Sequence, residues 1–295
     1  VKIYYNKINS CNFCKGGTFV KIQKRQIAGM NLVYKFYSFD YFLDAMERLG
    51  YESIELLPNA PHFYVPDLSA SDMSAIRQKI HDHHLTTICY TPDQCSYPVN
   101  ISYNSEVGRR RSIQSLTRQI EVCSYLGSGQ MLLTSGYGYF DEPKEQAWAR
   151  MVDSLGQLSR KAEKEGVVLV LEPIRTDETN LVTDLPSLKR AIREVDSPNL
   201  KGMLDTSPMY YAGESIAQYA QELGDDLWHI HLIDGRPAGH LAWGDGIFPL
   251  DQYMREIEQA GYSRYMTLEL TSAEYYNNPN PAMEQSMNAL RPYLE

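Results

Sequence analysis

No apolar run in the 295-residue sequence approaches the roughly 20 residues that a helix needs to span a bilayer, so no membrane partner is expected. Cysteine is scarce. There are five, an odd number that does not suggest a disulfide framework. Cys11 and Cys14 form one C-x-x-C, but no second ligand pair stands nearby to complete a structural zinc site. Positive charge is also short. Against 37 Asp and Glu there are 28 Lys and Arg, a net charge of −9, and a nucleic-acid binder would need the opposite balance on one face. The first 25 residues hold scattered lysines and no apolar h-region, so they do not read as a secretory signal, and a cytoplasmic location is expected. No glycine-rich dinucleotide turn follows the first strand-like run, which weighs against an open doubly wound sheet.

What the chain does contain is an alternation of short apolar, β-type runs with longer amphipathic stretches, the pattern of βα units around a parallel sheet. Strands are predicted at 26–31, 53–57, 86–91, 130–135, 167–172, 200–205, 227–232 and 265–270. Helices are predicted at 38–49, 69–83, 106–126, 143–165, 184–195, 215–223, 250–260 and 282–294. Eight strand–helix pairs in this length suit an α/β fold of the closed (β/α)8 TIM-barrel type over 26–295, with a short N-terminal extension at 1–25. The extension is expected to form a small hairpin or arm across the barrel base. Gly50, Gly127, Gly166 and Gly261 each stand where an amphipathic run ends, as left-handed helix caps would.

In such a barrel the C-terminal ends of the strands converge on the face that carries the site. Strands five to eight end in Glu172, Asp205, His231 and Glu269. A lone strand-end carboxylate is often only a cap for the next helix. Four adjacent strands each delivering a ligand-type side chain instead point to one divalent cation, and this oxygen-rich set with one imidazole suits Mn²⁺, with Mg²⁺ or Co²⁺ as alternatives. Of the two histidines in LWHIHLI, His231 is taken to face the barrel and His229 to face the helices as a packing residue. A cation so held acidifies the carbon-bound proton next to a sugar carbonyl. Glu172 and Glu269 then form a natural acid/base pair: bases on opposite faces epimerise, and one base moving a proton along one face isomerises.

These residues carry a resemblance. The stretches LGYESIEL, PHFYVPDL, YTPDQCSYPVN with Arg109–Arg111, LVLEPIRTDETN, GMLDTSPMYY, HIHLIDG and LEL are similar to the ketose 3-epimerase branch of the xylose isomerase-like TIM-barrel superfamily, and above all to its fructoselysine 3-epimerase type. The resemblance covers the chain from about Gln26 to the C-terminus. It implies that Glu172, Asp205, His231 and Glu269 bind the metal, that Glu172 and Glu269 are also catalytic, and that Glu178 contacts substrate near its carbonyl end. It implies a substrate-binding arginine shortly after the histidine ligand, where Arg236 stands. Where the family often has a histidine, three residues after the aspartate ligand, this chain has Pro208. That departure favours a bulkier or conjugated sugar over a free ketohexose.

His62, Tyr97, His240 and Trp243 fall on strand-end loops and are further candidates for the substrate pocket. The expected activity is 3-epimerisation of a ketose or conjugated ketose, of the fructoselysine/psicoselysine or allulose/tagatose type, through a cis-enediolate. The expected partners are a small sugar substrate and further copies of the chain, as a dimer or tetramer. The alternative is a lyase that cleaves C-glycosides on the same barrel with a small partner subunit.

Overall fold

The computed structural model describes residues 21–59, 61–94, 98–236 and 239–295. Cys11, Cys14, Tyr97 and the expected hairpin of the leader lie outside the described residues. Eight parallel strands close a barrel in sequence order, with β1 hydrogen-bonded to β8. They are β1 (Ile27–Met30), β2 (Ser53–Leu56), β3 (Thr86–Tyr90), β4 (Gln130–Thr134), β5 (Val168–Glu172), β6 (Leu200–Asp205), β7 (Leu227–His231) and β8 (Met266–Leu268). The α-helices are α1 (Phe39–Leu49), α2 (Ala70–Asp82), α3 (Glu106–Tyr125), α4 (Lys144–Glu165), α5 (Leu185–Val195), α6 (Thr206–Ala212), α7 (Ile216–Leu223), α8 (Leu250–Gln259) and α9 (Asn280–Leu290).

Local chemistry sets the helix ends. The Ser38 hydroxyl accepts the Tyr41 N–H to open α1, and Asp184 and Ser215 do the same for α5 and α7. Gly50, Gly127, Gly166 and Gly261 all take positive φ, as their positions predict. Helix α6 is an addition to the sequence reading. It begins directly where β6 stops, holds Pro208 in its first turn and is too short to show an apolar period, so nothing separated it from a loop.

The larger core lies between the strands and the surrounding helices. A smaller cluster of Ala28, Ile88, Cys89, Leu132, Val170 and Met203 packs separately. Side chains two apart on a strand share a face, so Val170 shares its side of the sheet with Glu172, and Met203 with Asp205. The barrel interior therefore has an apolar floor below a polar, acidic upper level. At the base, Ile22 pairs in parallel with Leu294, and the Glu295 N–H donates to the Ile22 carbonyl at 2.9 Å. This ties residue 22 to the C-terminal end of the chain.

Candidate active site and metal centre

The ends of β5 to β8 bring Glu172, Asp205, His231 and Glu269 to one point, with one ligand-type atom from each within 4.8 Å of the others. His231 Nδ1 lies 3.3 Å from Glu172 Oε1, 3.7 Å from Asp205 Oδ2 and 3.1 Å from Glu269 Oε2. Donor atoms about 2.1 Å from one cation would stand roughly 3–4 Å apart, so these separations fit a shared ion. Two of the atoms also make no hydrogen bond, although both are buried: Asp205 Oδ2 and His231 Nδ1. Buried polar atoms are rarely left so, and a cation between them would satisfy both. Asp205 resolves the choice between cap and ligand by dividing its oxygens. Oδ1 accepts the Ser207 N–H at 2.6 Å to cap α6, and Oδ2 is left facing the cluster.

The same geometry polarises the site electrostatically. Burial pushes Glu172 up to about 7, aided by the charges of Glu269 and Asp205 and opposed by His231. Burial also acts to raise Glu269, but His231 and His240 outweigh it and hold that carboxyl at about 2. Without a cation, then, the two glutamates flanking the cluster are pushed apart: Glu172 titrates around neutral pH, while Glu269 stays ionised far below it.

His240 joins the site. Its Nδ1 lies 2.9 Å from Glu269 Oε2, its Nε2 lies 3.6 Å from Asp205 Oδ2, and the two carboxylates overcome burial to lift the imidazole to about 9. The loop that carries His240 is held by Asp234. This buried carboxylate accepts the backbone N–H groups of Gly235, Gly244, Gly246 and Phe248 at 2.7–2.9 Å. Only glycine fits at 246, where a Cβ would stand 2.2 Å from Asp234 Oδ1. Asp234→Ala leaves several buried donors unpaired and is expected to cost about 3 kcal/mol or more. Urea denaturation measures this, and a loss under about 1 kcal/mol would show that the loop does not depend on the carboxylate.

The remaining candidates are placed less centrally. Glu178 is exposed on the loop after β5 and accepts from the Arg175 N–H and Nε–H at 3.3 and 3.2 Å. Arg236 is exposed after β7, 3.6 Å from Glu274 Oε1. His62 is half-buried with both ring nitrogens engaged, Nδ1 with Asn31 Nδ2 at 2.8 Å and Nε2 with the Tyr37 carbonyl at 3.1 Å. Those contacts tie the loop after β2 to the loop after β1. Trp243 departs from expectation. Its ring is buried in the core against Tyr253, and its indole N–H donates to the Leu232 carbonyl at 3.1 Å, so it supports the loop from behind and does not line the mouth.

His229 also corrects the sequence reading. Strand side chains repeat every two residues, so His229 shares the inward face of His231, and both imidazoles are fully buried. They meet at Glu55 on β2, whose Oε2 lies 2.9 Å from His229 Nε2 and whose Oε1 lies 3.1 Å from His231 Nε2. Sequence reasoning assigned Glu55 no role. The available signal was the period of two, which turns the one carboxylate of SIEL to the same side as Ser53.

The profile of the xylose isomerase-like TIM barrel family matches residues 43–293. Fructoselysine 3-epimerase of Shigella flexneri is 32% identical over 255 residues, which cover 86% of this chain and 92% of that protein. Among solved structures, D-psicose 3-epimerase from Clostridium cellulolyticum H10, determined with D-tagatose, superposes with a TM-score of 0.77 at 19% identity, covering 92% of this chain and 99% of that one. The 3-keto-D-glucoside 4-epimerase of E. coli superposes at 0.78 with 19% identity, covering 91% and 100%. These structural likenesses concern the fold. The closed parallel barrel, the match over residues 43–293 and the relative at 32% identity together establish that the chain belongs to the xylose isomerase-like TIM barrel family.

Proposed function

We infer that this chain is a divalent-metal-dependent ketose 3-epimerase, acting on an amine-linked ketose of the fructoselysine type. The observation that carries the reading is the convergence of Glu172, Asp205, His231 and Glu269 at the ends of four adjacent strands. The 32% identity to a fructoselysine 3-epimerase supports the substrate class, and Pro208 in the first turn of α6, where the family often has a histidine, is consistent with a bulkier sugar.

A bound cation, Mn²⁺ by the character of its ligands, supplies electron withdrawal from the sugar oxygens and so acidifies the proton on carbon 3. The chain's own groups do the rest. One of Glu172 and Glu269 removes the carbon-3 proton to give a cis-enediolate, and the other returns a proton from the opposite face. Glu269 lies 2.9 Å from His240 Nδ1, and the two glutamates exchange roles between the forward and reverse directions. His240 holds the Glu269 carboxylate in place. Asp205 spends one oxygen on the α6 cap, which fixes the other toward the cluster.

The test is incubation of the Mn²⁺-loaded protein with fructoselysine, and in parallel with allulose, in deuterium oxide. The expected result is loss of the carbon-3 proton signal together with appearance of the carbon-3 epimer, faster for the conjugate. Absence of exchange with either ketose, in a protein shown to hold the cation, would overturn the reading.

A further inference from the structure

Glu55 is a buried carboxylate for which the reaction above has no use, and nothing cationic of the lysine or arginine type pairs with it among the described contacts. An ionised carboxylate with no exposure is costly unless it is fully hydrogen-bonded. Here it is. Oε1 accepts the Thr91 hydroxyl and faces His231 Nε2, and Oε2 faces His229 Nε2. The two imidazoles therefore both present their Nε2 to oxygens that can only accept.

We propose that Glu55 is a positioning residue for the metal centre, fixing His231 as the Nε2–H tautomer so that the Nδ1 lone pair points at the cation. This rests on the metal-centre reading given above. The geometry leaves His231 a real choice. Its Nδ1 lies 3.1 Å from Glu269 Oε2 and 3.3 Å from Glu172 Oε1, so without an acceptor behind it the ring proton would settle on Nδ1, facing the carboxylates. That tautomer blocks coordination. A carboxylate on the Nε2 side removes the choice, because only an N–H can face it favourably, and it also makes the opposite nitrogen a better donor to a metal.

A carboxylate rather than an amide is needed because two imidazoles must be satisfied at once. Glutamine offers one acceptor oxygen and one NH₂ donor. In Glu55→Gln the NH₂ must face either His229 or His231, and that ring must shift its proton to Nδ1. For His229 this is unfavourable, since its Nδ1 is buried with no partner to receive the proton. For His231 the carboxylates of Glu172 and Glu269 stand ready. The amide therefore orients against His231, and metal binding is the property that suffers. His229, by the same logic, shares Glu55 but does not face the cluster.

The experiment measures Mn²⁺ affinity by competition with a chromogenic chelator for the wild type, Glu55→Gln and His229→Phe, with circular dichroism to verify each fold. Removing the carboxylate behind a ligating histidine is expected to weaken binding by about 10- to 100-fold. His229→Phe is expected to stay within about 3-fold of the wild type, because Glu55 still faces His231. Should Glu55→Gln fail to fold, the wild type alone decides. Labelled with ¹⁵N at histidine and loaded with diamagnetic Zn²⁺, His231 should show a protonated Nε2 and a metal-bound Nδ1. Glu55→Gln binding as tightly as the wild type, or a wild-type His231 coordinated through Nε2, would overturn the role of Glu55 while leaving the metal centre intact. A wild type that takes up no cation would overturn both.

Discussion

Glu269→Gln is expected to lower the epimerisation rate by about 10²–10⁴-fold, the usual consequence of losing a positioned acid or base. The more telling readout is asymmetric. Two-base chemistry leaves each single variant able to work on one face of carbon 3 only. In deuterium oxide, Glu269→Gln should still wash out the carbon-3 proton of one epimer without inverting it, and Glu172→Gln should do so for the other. The amide keeps a neutral oxygen toward the cation, so a metal assay on each variant separates lost coordination from lost proton transfer. Equal loss of exchange from both epimers in both metal-loaded variants would contradict the division of labour between the two glutamates.

The second large effect concerns the cation and pH together. In the cation-free site Glu172 titrates at about 7 and His231 is raised well above its ordinary value, because Glu55 and Glu269 outweigh its burial. Both must lose a proton to coordinate. Mn²⁺ binding should therefore weaken as pH falls, by up to about tenfold per unit for each proton displaced. Stability follows with a definite sign. A carboxyl raised from 4.5 to about 7 stabilises the cation-free fold fully below 4.5, and that contribution is lost as pH rises through 7. Glu269, held at about 2, does the reverse: its contribution is present above 4.5 and lost as pH falls toward 2.

The cation-free protein should thus lose stability between pH 5 and 8, while the loaded protein gains. At a free Mn²⁺ concentration 100 times the Kd, binding adds about 2.7 kcal/mol, a shift of several degrees in Tm. Thermal melts at pH 6 and pH 8, with Mn²⁺ and with a chelator, measure the difference. A stabilisation larger at pH 6 than at pH 8 would contradict proton competition at the ligands.

The barrel was legible because its signals are periodic and repeated. All eight strands lie within a few residues of their predicted positions, and the glycine caps fall where helices end. The convergence of Glu172, Asp205, His231 and Glu269 was legible for a related reason: a charged residue closing an apolar strand is conspicuous, and strand ends in a barrel share one face. The upper level of the interior was harder to read. His229 was turned outward because the two histidines were taken to alternate between the faces of the strand, although a spacing of two places them together. Glu55 stayed hidden because a single carboxylate within a short apolar strand gives no hint of its partners, which lie 174 and 176 residues away. Trp243 looked like a pocket residue because loops at this face often carry function, whereas this ring packs inward. Helix α6 has too few residues to announce itself.

The separation between Glu55 and the two histidines has a consequence for how the molecule matures. During synthesis the β2 carboxylate emerges first, long before either imidazole that will meet it, and Glu269 follows directly after the final strand. A ribosome-bound chain truncated before residue 269 should not hold the ion with full avidity, however well its earlier βα units have condensed. Loading would thereby come late, once β2 and the ends of β5 to β8 have come together.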